Sequence, residues 1–332
     1  MRSIRVLALL PLSRKIRIIR LFGNSQGIVQ LSYYLTLAGT FTIRFSGTPE
    51  TDEWLGKFAK IMRLESSAKE HLSDVRFFPT SIWTCWHKTL SICQGPQSVS
   101  LLPADSWQTK QFSFIRVWHH QGIDDICCEM ETGDCGSDLS IIMMAEALHA
   151  VYLLLRDKGG FPVHAALVER EGMGVLLVGA SGVGKSTCSQ RLPNSWNVLG
   201  DDLVLAVPGS TNAYLGHPLP TWSQLLSQSS TRTWNVQSCV PIVAVMVLEQ
   251  AEEDEIIPLG QSRAAMRIAH SASYVSLLGL VEPPETVASI RRSVFNNAAR
   301  MAKSVPAFVL RCSLHGKFWR KMEEALKLPP TI

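Results

Sequence analysis

Residues 31–46, Leu-Ser-Tyr-Tyr-Leu-Thr-Leu-Ala-Gly-Thr-Phe-Thr-Ile-Arg-Phe-Ser, alternate apolar with small or polar side chains on both sides of Gly39, which predicts two strands joined in a hairpin. The period then changes. Trp54, Phe58, Ile61 and Met62 recur at helical spacing across 54–64, and short apolar runs at 99–102 and 112–118 predict strands between Gly, Pro and Ser breakers. Phe112, Phe114, Ile115, Val117 and Trp118 carry only Arg116 among them, so they read as a half-buried core strand rather than a stacking face for bases.

The most apolar helical stretch, 139–155, carries Ser140, Glu146 and His149 and falls short of a membrane span, so it is expected to be a buried helix. It stops at Asp157-Lys158-Gly159-Gly160, where glycine supplies a left-handed cap. A second unit follows, with strands at 163–169 and 175–178 around a turn at 170–174, then a helix through 188–192, and strands at 198–199 and 203–207. This alternation is that of a nucleotide-binding α/β fold. Residues 214–220, with Pro218 and Pro220, read as a loop; 242–248 and 308–311 read as strands, and 262–278 and 317–326 as helical.

Between the strand at 175–178 and its helix stand Gly179, Ala180, Ser181, Gly182, Val183, Gly184, Lys185, Ser186 and Thr187, a complete G-x-x-x-x-G-K-[ST] sequence. With Gly near 7% of residues, the bare pattern arises by chance in about one chain of this length in a hundred. The glycines let backbone N–H groups turn inward around an anion, Lys185 reaches the β and γ phosphates, and Ser186 offers a hydroxyl to Mg²⁺. The expected guests are therefore ATP and Mg²⁺.

Phosphoryl transfer also needs a carboxylate near the metal and a group that takes the acceptor's proton. Asp201 and Asp202 follow the apolar pair Val198-Leu199 at a separation from Ser186 that allows one helix and one return strand, which sets them at the sheet edge beside the loop. One of them, with Asp201 as the metal partner, would help hold Mg²⁺ beside Ser186, and the other would act as base. His164, in a strand just before the phosphate strand, could orient a carboxylate or touch the γ phosphate. His217, in its Pro-punctuated loop, has a weaker claim to the substrate groove. Arg232, Arg263, Arg267, Arg291 and Arg292 could each meet transferring charge, and the last two could equally form a solvated helix face.

Composition narrows this little further. The 332 residues carry a formal net charge of +4, which makes no case for a nucleic-acid partner. Eight cysteines lack a C-x-x-C pair, and even Cys127, Cys128 and Cys135 read as reduced, packed thiols of a cytoplasmic protein. Residues 1–28, rich in Arg, read as a loose extension or as residues ahead of the true start, and not as a signal peptide.

The segment from His164-Ala-Ala-Leu-Val through the Gly179–Ser186 loop to Val198-Leu-Gly-Asp-Asp resembles the core of the HPr serine kinase family. In style the chain is similar to the HPr-kinase-like proteins of peptide-modification clusters, the lasso-peptide kinases and the SynChlorMet cassette proteins ScmC, through His217-Pro-Leu-Pro-Thr-Trp-Ser and the ending from Val305-Pro306 to Trp319. The resemblance implies an α/β fold like the nucleotide domain of phosphoenolpyruvate carboxykinase over 138–332; the smaller N-terminal α+β domain over 29–137 carries no matching motif and is expected to be a peptide-recognition domain of this subgroup. It implies ATP and Mg²⁺ at Lys185 and Ser186, Asp201 or Asp202 as base and metal partner, and His164 in the active site. The implied activity is a kinase acting on a Ser or Thr hydroxyl of a peptide or small protein. Thr187 stands where the bifunctional HPr enzymes have Glu, so the resemblance does not extend to their phosphorylase activity. A nucleotide-binding accessory protein that recognises a precursor peptide without phosphoryl transfer is the alternative. A bare nucleotide-hydrolysing switch is a weaker one, because no guanine-reading N-K-x-D follows. A homo-oligomer is compatible with either reading.

Overall fold

The computed structural model describes residues 31–80, 107–120, 124–131, 136–209, 213–227 and 231–331. The basic extension, the strand expected at 99–102 and Cys85, Cys93 and Cys135 lie outside them. The protein is mixed α/β, with two sheets and several helices.

The first sheet contains β1 (Ser32–Leu37), β2 (Phe41–Gly47), β3 (Ser73–Pro79), β4 (Trp107–Gln111), β5 (Ile115–His120) and β6 (Ile126–Met130), in the order β1-β2-β3-β6-β5-β4. β1 and β2 form the expected hairpin, and its turn places Ala38 and Gly39 at φ of 50° and 69°. The helix expected at 54–64 is α1 (Asp52–Met62), which connects the parallel pair β2 and β3 and buries Leu55, Phe58 and Met62. Phe45, Phe58 and Phe77 pack ring on ring beneath it, at centroid separations of 5.7–6.4 Å.

The long apolar helix is α2 (Ser137–Arg156). By length and composition it could cross a membrane, yet 61% of its most apolar stretch is buried within the fold. Met143, Ala147, Leu148, Val151 and Leu155 join the core of the first sheet, and so do Leu203, Leu205 and Val207 from the second. Glu146 is the polar exception, and its carboxylate accepts the N–H groups of Ser113, Phe114 and Ile115 at 2.9–3.1 Å, tying α2 to the bend before β5. Gly159, at φ 89°, sits just past the helix end.

The second sheet holds β7 (Phe161–Arg170), β8 (Met173–Val178), β9 (Asn197–Gly200), β10 (Leu203–Pro208), β11 (Tyr214–Pro218), β12 (Val240–Gln250), β13 (Glu255–Leu259) and β14 (Ala307–Cys312). Its order is β11-β10-β7-β8-β12-β14-β13, with β9 also on β7. Side chains alternate along β7: Val163, Ala165 and Leu167 face α5 (Gln261–Ser276) and α6 (Pro284–Ser304), while Ala166 and Val168 face α3 (Lys185–Arg191) and α7 (Phe318–Leu326). Helices therefore cover both faces, and the loop after β8 opens at the sheet's end.

In this sheet β9 and β10 both pair antiparallel with β7, while β8, β12 and β14 run parallel. One expectation needs correction. Residues 214–218 are not a loop; they form β11, whose Gly216 packs so close that an added Cβ would stand 3.1–3.2 Å from Leu167 and Ile242.

Candidate functional site

The loop 179–184 leaves β8 at Val178, directly opposite Ala165 of β7. A Cβ on Gly179 would meet Val183 Cγ1 at 2.6 Å, so the first turn requires glycine. Gly182 and Gly184 take φ of 79° and 107°, conformations that L side chains avoid. Lys185 is only 6% exposed. Its ammonium donates to the carbonyls of Gly179 and Ala180 at 2.8 and 3.1 Å, bracing the loop. Burial lowers its pKa below the ordinary lysine value, and the Asp202 carboxylate pulls the other way. Ser186 and Thr187 are exposed at the start of α3.

β9 and β10 are joined by the two aspartates, and the N–H of Ala165 donates to the Asp202 carbonyl at 3.0 Å. That bond sets Asp202 level with the end of β8. His164 Nδ1 lies 3.0 Å from Asp202 Oδ1 and 3.1 Å from the Asp202 carbonyl oxygen. Both partners are acceptors, so Nδ1 carries the hydrogen. Ser271 Oγ donates to the His164 carbonyl at 2.7 Å, and the Tyr274 ring lies 5.3 Å from the imidazole, centroid to centroid.

Asp201 faces elsewhere. Its Oδ1 accepts from Thr221 Oγ1 at 2.5 Å and its Oδ2 from Gln224 Nε2 at 2.9 Å, so its carboxylate anchors α4 (Trp222–Leu226) to the sheet. The two aspartates form the bend between β9 and β10, and their side chains part there.

A cavity of about 760 Å³ lies beside the loop, bounded by residues 179–183, His164, the end of β12 and α5. Of the five candidate arginines, Arg267 lines it, 3.8 Å from Glu249. Arg232 instead reaches the Leu199 carbonyl at 3.4 Å and lies over Trp234, while Arg291 and Arg292 are exposed on α6 and Arg263 is exposed on α5. Arg267, His270, Ser271 and Tyr274 fall at helical spacings of three, four and seven, so one face of α5 forms the cavity wall. Sequence reasoning named only Arg267 of these, although their spacing inside the expected helix was available.

His217 does not line this cavity. It is fully buried on β11, its Nδ1–H donating to the Val236 carbonyl at 2.8 Å and its Nε2 accepting the Ala38 N–H at 3.2 Å. Burial lowers its pKa to about 4, with the Val236 bond opposing. It braces the hairpin turn against the second sheet.

The donor set suits a triphosphate and a hard cation. The loop carries no side chain at Gly182 or Gly184, the buried Lys185 ammonium braces it, the exposed Ser186 begins the helix that follows, and the Asp202 carboxylate is near enough to act on Lys185. The family model described as SynChlorMet cassette protein ScmC matches residues 126–327, more than half of the chain and all of the loop, His164 and Asp202. No curated protein matches the chain.

Proposed function

The chain belongs to the SynChlorMet cassette protein ScmC family, and from that premise we propose that it is an ATP- and Mg²⁺-dependent kinase that phosphorylates a Ser or Thr hydroxyl of a peptide or small protein. The supporting observation is that β7 sets the His164–Asp202 pair, 3.0 Å apart, level with the mouth of the Gly179–Thr187 loop. A fold related to the HPr kinases and phosphoenolpyruvate carboxykinase, and a cytoplasmic site where ATP is supplied, belong to the same reading.

In it, the loop's N–H groups and Lys185 bind the β and γ phosphates, and Arg267 balances charge on the transferring group. Bound Mg²⁺, held by the Ser186 hydroxyl, would neutralise phosphate charge. Asp202 takes the acceptor's proton as the acceptor oxygen bonds to the γ-phosphorus and ADP leaves. His164 acts through Asp202, holding the free carboxylate oxygen in place by its Nδ1–H bond. Asp201 is assigned to positioning, because both its oxygens are engaged by α4.

The test is transfer from γ-labelled ATP with Mg²⁺ to peptides encoded beside the gene, run alongside Lys185→Ala. Label on a peptide hydroxyl that vanishes in the variant supports the kinase. Tight ATP binding with no labelled peptide overturns it in favour of an accessory protein that recognises a precursor peptide.

A further inference from the structure

A second concavity, of about 720 Å³, runs between α1, the start of α2 and the segment 231–233 beyond α4. Its floor is apolar, built from Trp54, Ile61, Ile141, Met144 and Leu225. Trp54 is fixed there, because its Nε1–H donates to the Ser140 carbonyl at 3.3 Å and its ring stacks on Phe58 at 5.5 Å. The rim is charged. Glu50 lies just before α1 and Glu53 in its first turn, Glu131 follows β6, Lys60 stands two turns beyond Glu53, and Arg232 comes from the segment beyond α4. Lys57 pairs with Glu53 at 2.8 Å in solvent, an exposed contact that costs little to break, so a basic group of a ligand can take its place.

Length and connection favour a chain segment over a compact metabolite. From Asp52 to Ile61 the helix rises about 14 Å at ~1.5 Å per residue, which matches about four residues of extended peptide at ~3.3 Å each. The basic end leads to the site already described. Leu225 on its wall follows Gln224, which holds Asp201, and Arg232 bonds to the carbonyl of Leu199, three residues before Asp202.

We propose that this groove binds the acceptor peptide in extended form, a role that rests on the kinase reading. A basic side chain sits by Glu50 and Glu53, apolar side chains lie on the Trp54–Met144 floor, and an acidic side chain meets Lys60 and Arg232. The hydroxyl to be phosphorylated follows the acidic residue, toward Asp202. Charge complementarity fixes the direction in which the peptide lies.

The experiment is an oriented peptide library with a fixed Leu-Val-Leu centre and a fixed Ser at one end, its flanking positions randomised over Lys, Glu and Gln. Binding to the full chain is read by enrichment, and ATP affinity and label transfer are read in parallel. Wild type should enrich Lys on the side away from the Ser and Glu on the side next to it. The double variant Glu53→Lys with Lys60→Glu, both at exposed positions, should invert that preference and shift affinity for each charged peptide about three- to ten-fold, with ATP affinity unchanged. No preference for flanking charge, or the same preference in both proteins, overturns the groove. Enrichment that inverts without any label on the enriched peptide supports the groove and overturns the kinase reading. Label on peptides indifferent to the double variant does the reverse.

Discussion

Asp201 and Asp202 are adjacent and chemically identical, yet replacing each by asparagine should damage different properties. In the Asp202→Asn variant the new amide oxygen would still accept the His164 Nδ1–H, and the backbone bonds at 3.0 and 3.1 Å do not depend on the side chain. Stability should therefore change little. What disappears is the base, and a general base contributes about 10²–10⁴ in rate, or about 3–5 kcal/mol at ~1.36 kcal/mol per tenfold. Asp201→Asn acts on packing. Thr221 and Gln224 each donate to one carboxylate oxygen; an amide keeps both contacts by accepting from Gln224 and turning its NH₂ to the Thr221 oxygen, which exchanges bonds to a charged acceptor for neutral ones. That exchange costs about 1 kcal/mol, which at about 2–4 °C per kcal/mol lowers Tm by about 2–4 °C. The assay pairs a thermal melt with labelled phosphoryl transfer per folded molecule. Full transfer by Asp202→Asn would sink the assignment of the base. Abolished transfer by Asp201→Asn at unchanged Tm would show that the two roles are reversed.

Three further outcomes follow from buried titratable groups. Because burial lowers the Lys185 pKa, folding favours the neutral amine, and the ligand-free protein should gain stability as pH rises from that lowered value toward about 10.5. Lys185→Met should accordingly raise the ligand-free Tm near neutral pH and erase the ATP-dependent rise in Tm; a lower ligand-free Tm contradicts this. The Glu146 pKa is raised, mainly by desolvation, with three backbone N–H bonds opposing, so stability should decline as pH rises from about 4.5 through the raised value, a slope that Glu146→Gln removes. Glu146→Ala, which leaves three N–H groups without their acceptor, should cost about 3 kcal/mol or more in denaturant unfolding. His217, lowered to about 4, has one nitrogen donating and one accepting, so its cation cannot keep both bonds. Stability should be lost as pH falls from about 6.5 through 4, by up to about 3 kcal/mol, and an imidazole resonance that titrates near the ordinary histidine value would refute the assignment.

What could be read in the chain beforehand was whatever depends on neighbours in sequence. The Gly179–Thr187 loop, the β1–β2 hairpin and α1 are local patterns with local causes, and each stands within two residues of its expected place. Two strands buried throughout, β3 and β6, were missed. β3 contains Asp74, which it tolerates because Arg44 grips the carboxylate with two bonds at 2.5 and 2.9 Å. No alternation survives in such a strand for a periodicity argument to detect. β11 was hidden differently, since Pro218 and Gly216 signal a turn in isolation, and only the close approach of Leu167 and Ile242 shows why glycine is needed there. α6 has a clear apolar stripe at Ile290, Val294, Ala298 and Met301, but its many polar residues masked the stripe.

The aspartate pair marks where sequence reasoning necessarily stops. Their distance from Ser186 brings both to the loop but cannot say which one turns toward it, because the bend that carries them is set by the register in which β10 meets β7. The pairing of Leu203 with His164, and the Ala165–Asp202 backbone bond beside it, fix that register. The same pairing sets His164 next to Asp202 and leaves Asp201 to α4, whose Leu225 forms part of the groove wall. The division of the two carboxylates and the link between groove and loop therefore have one origin, the line on which β10 meets β7. A change that slipped this register would be expected to disturb transfer, the anchoring of α4 and peptide preference together, whereas substitutions at Asp202, Asp201 or Lys60 should each disturb one of them.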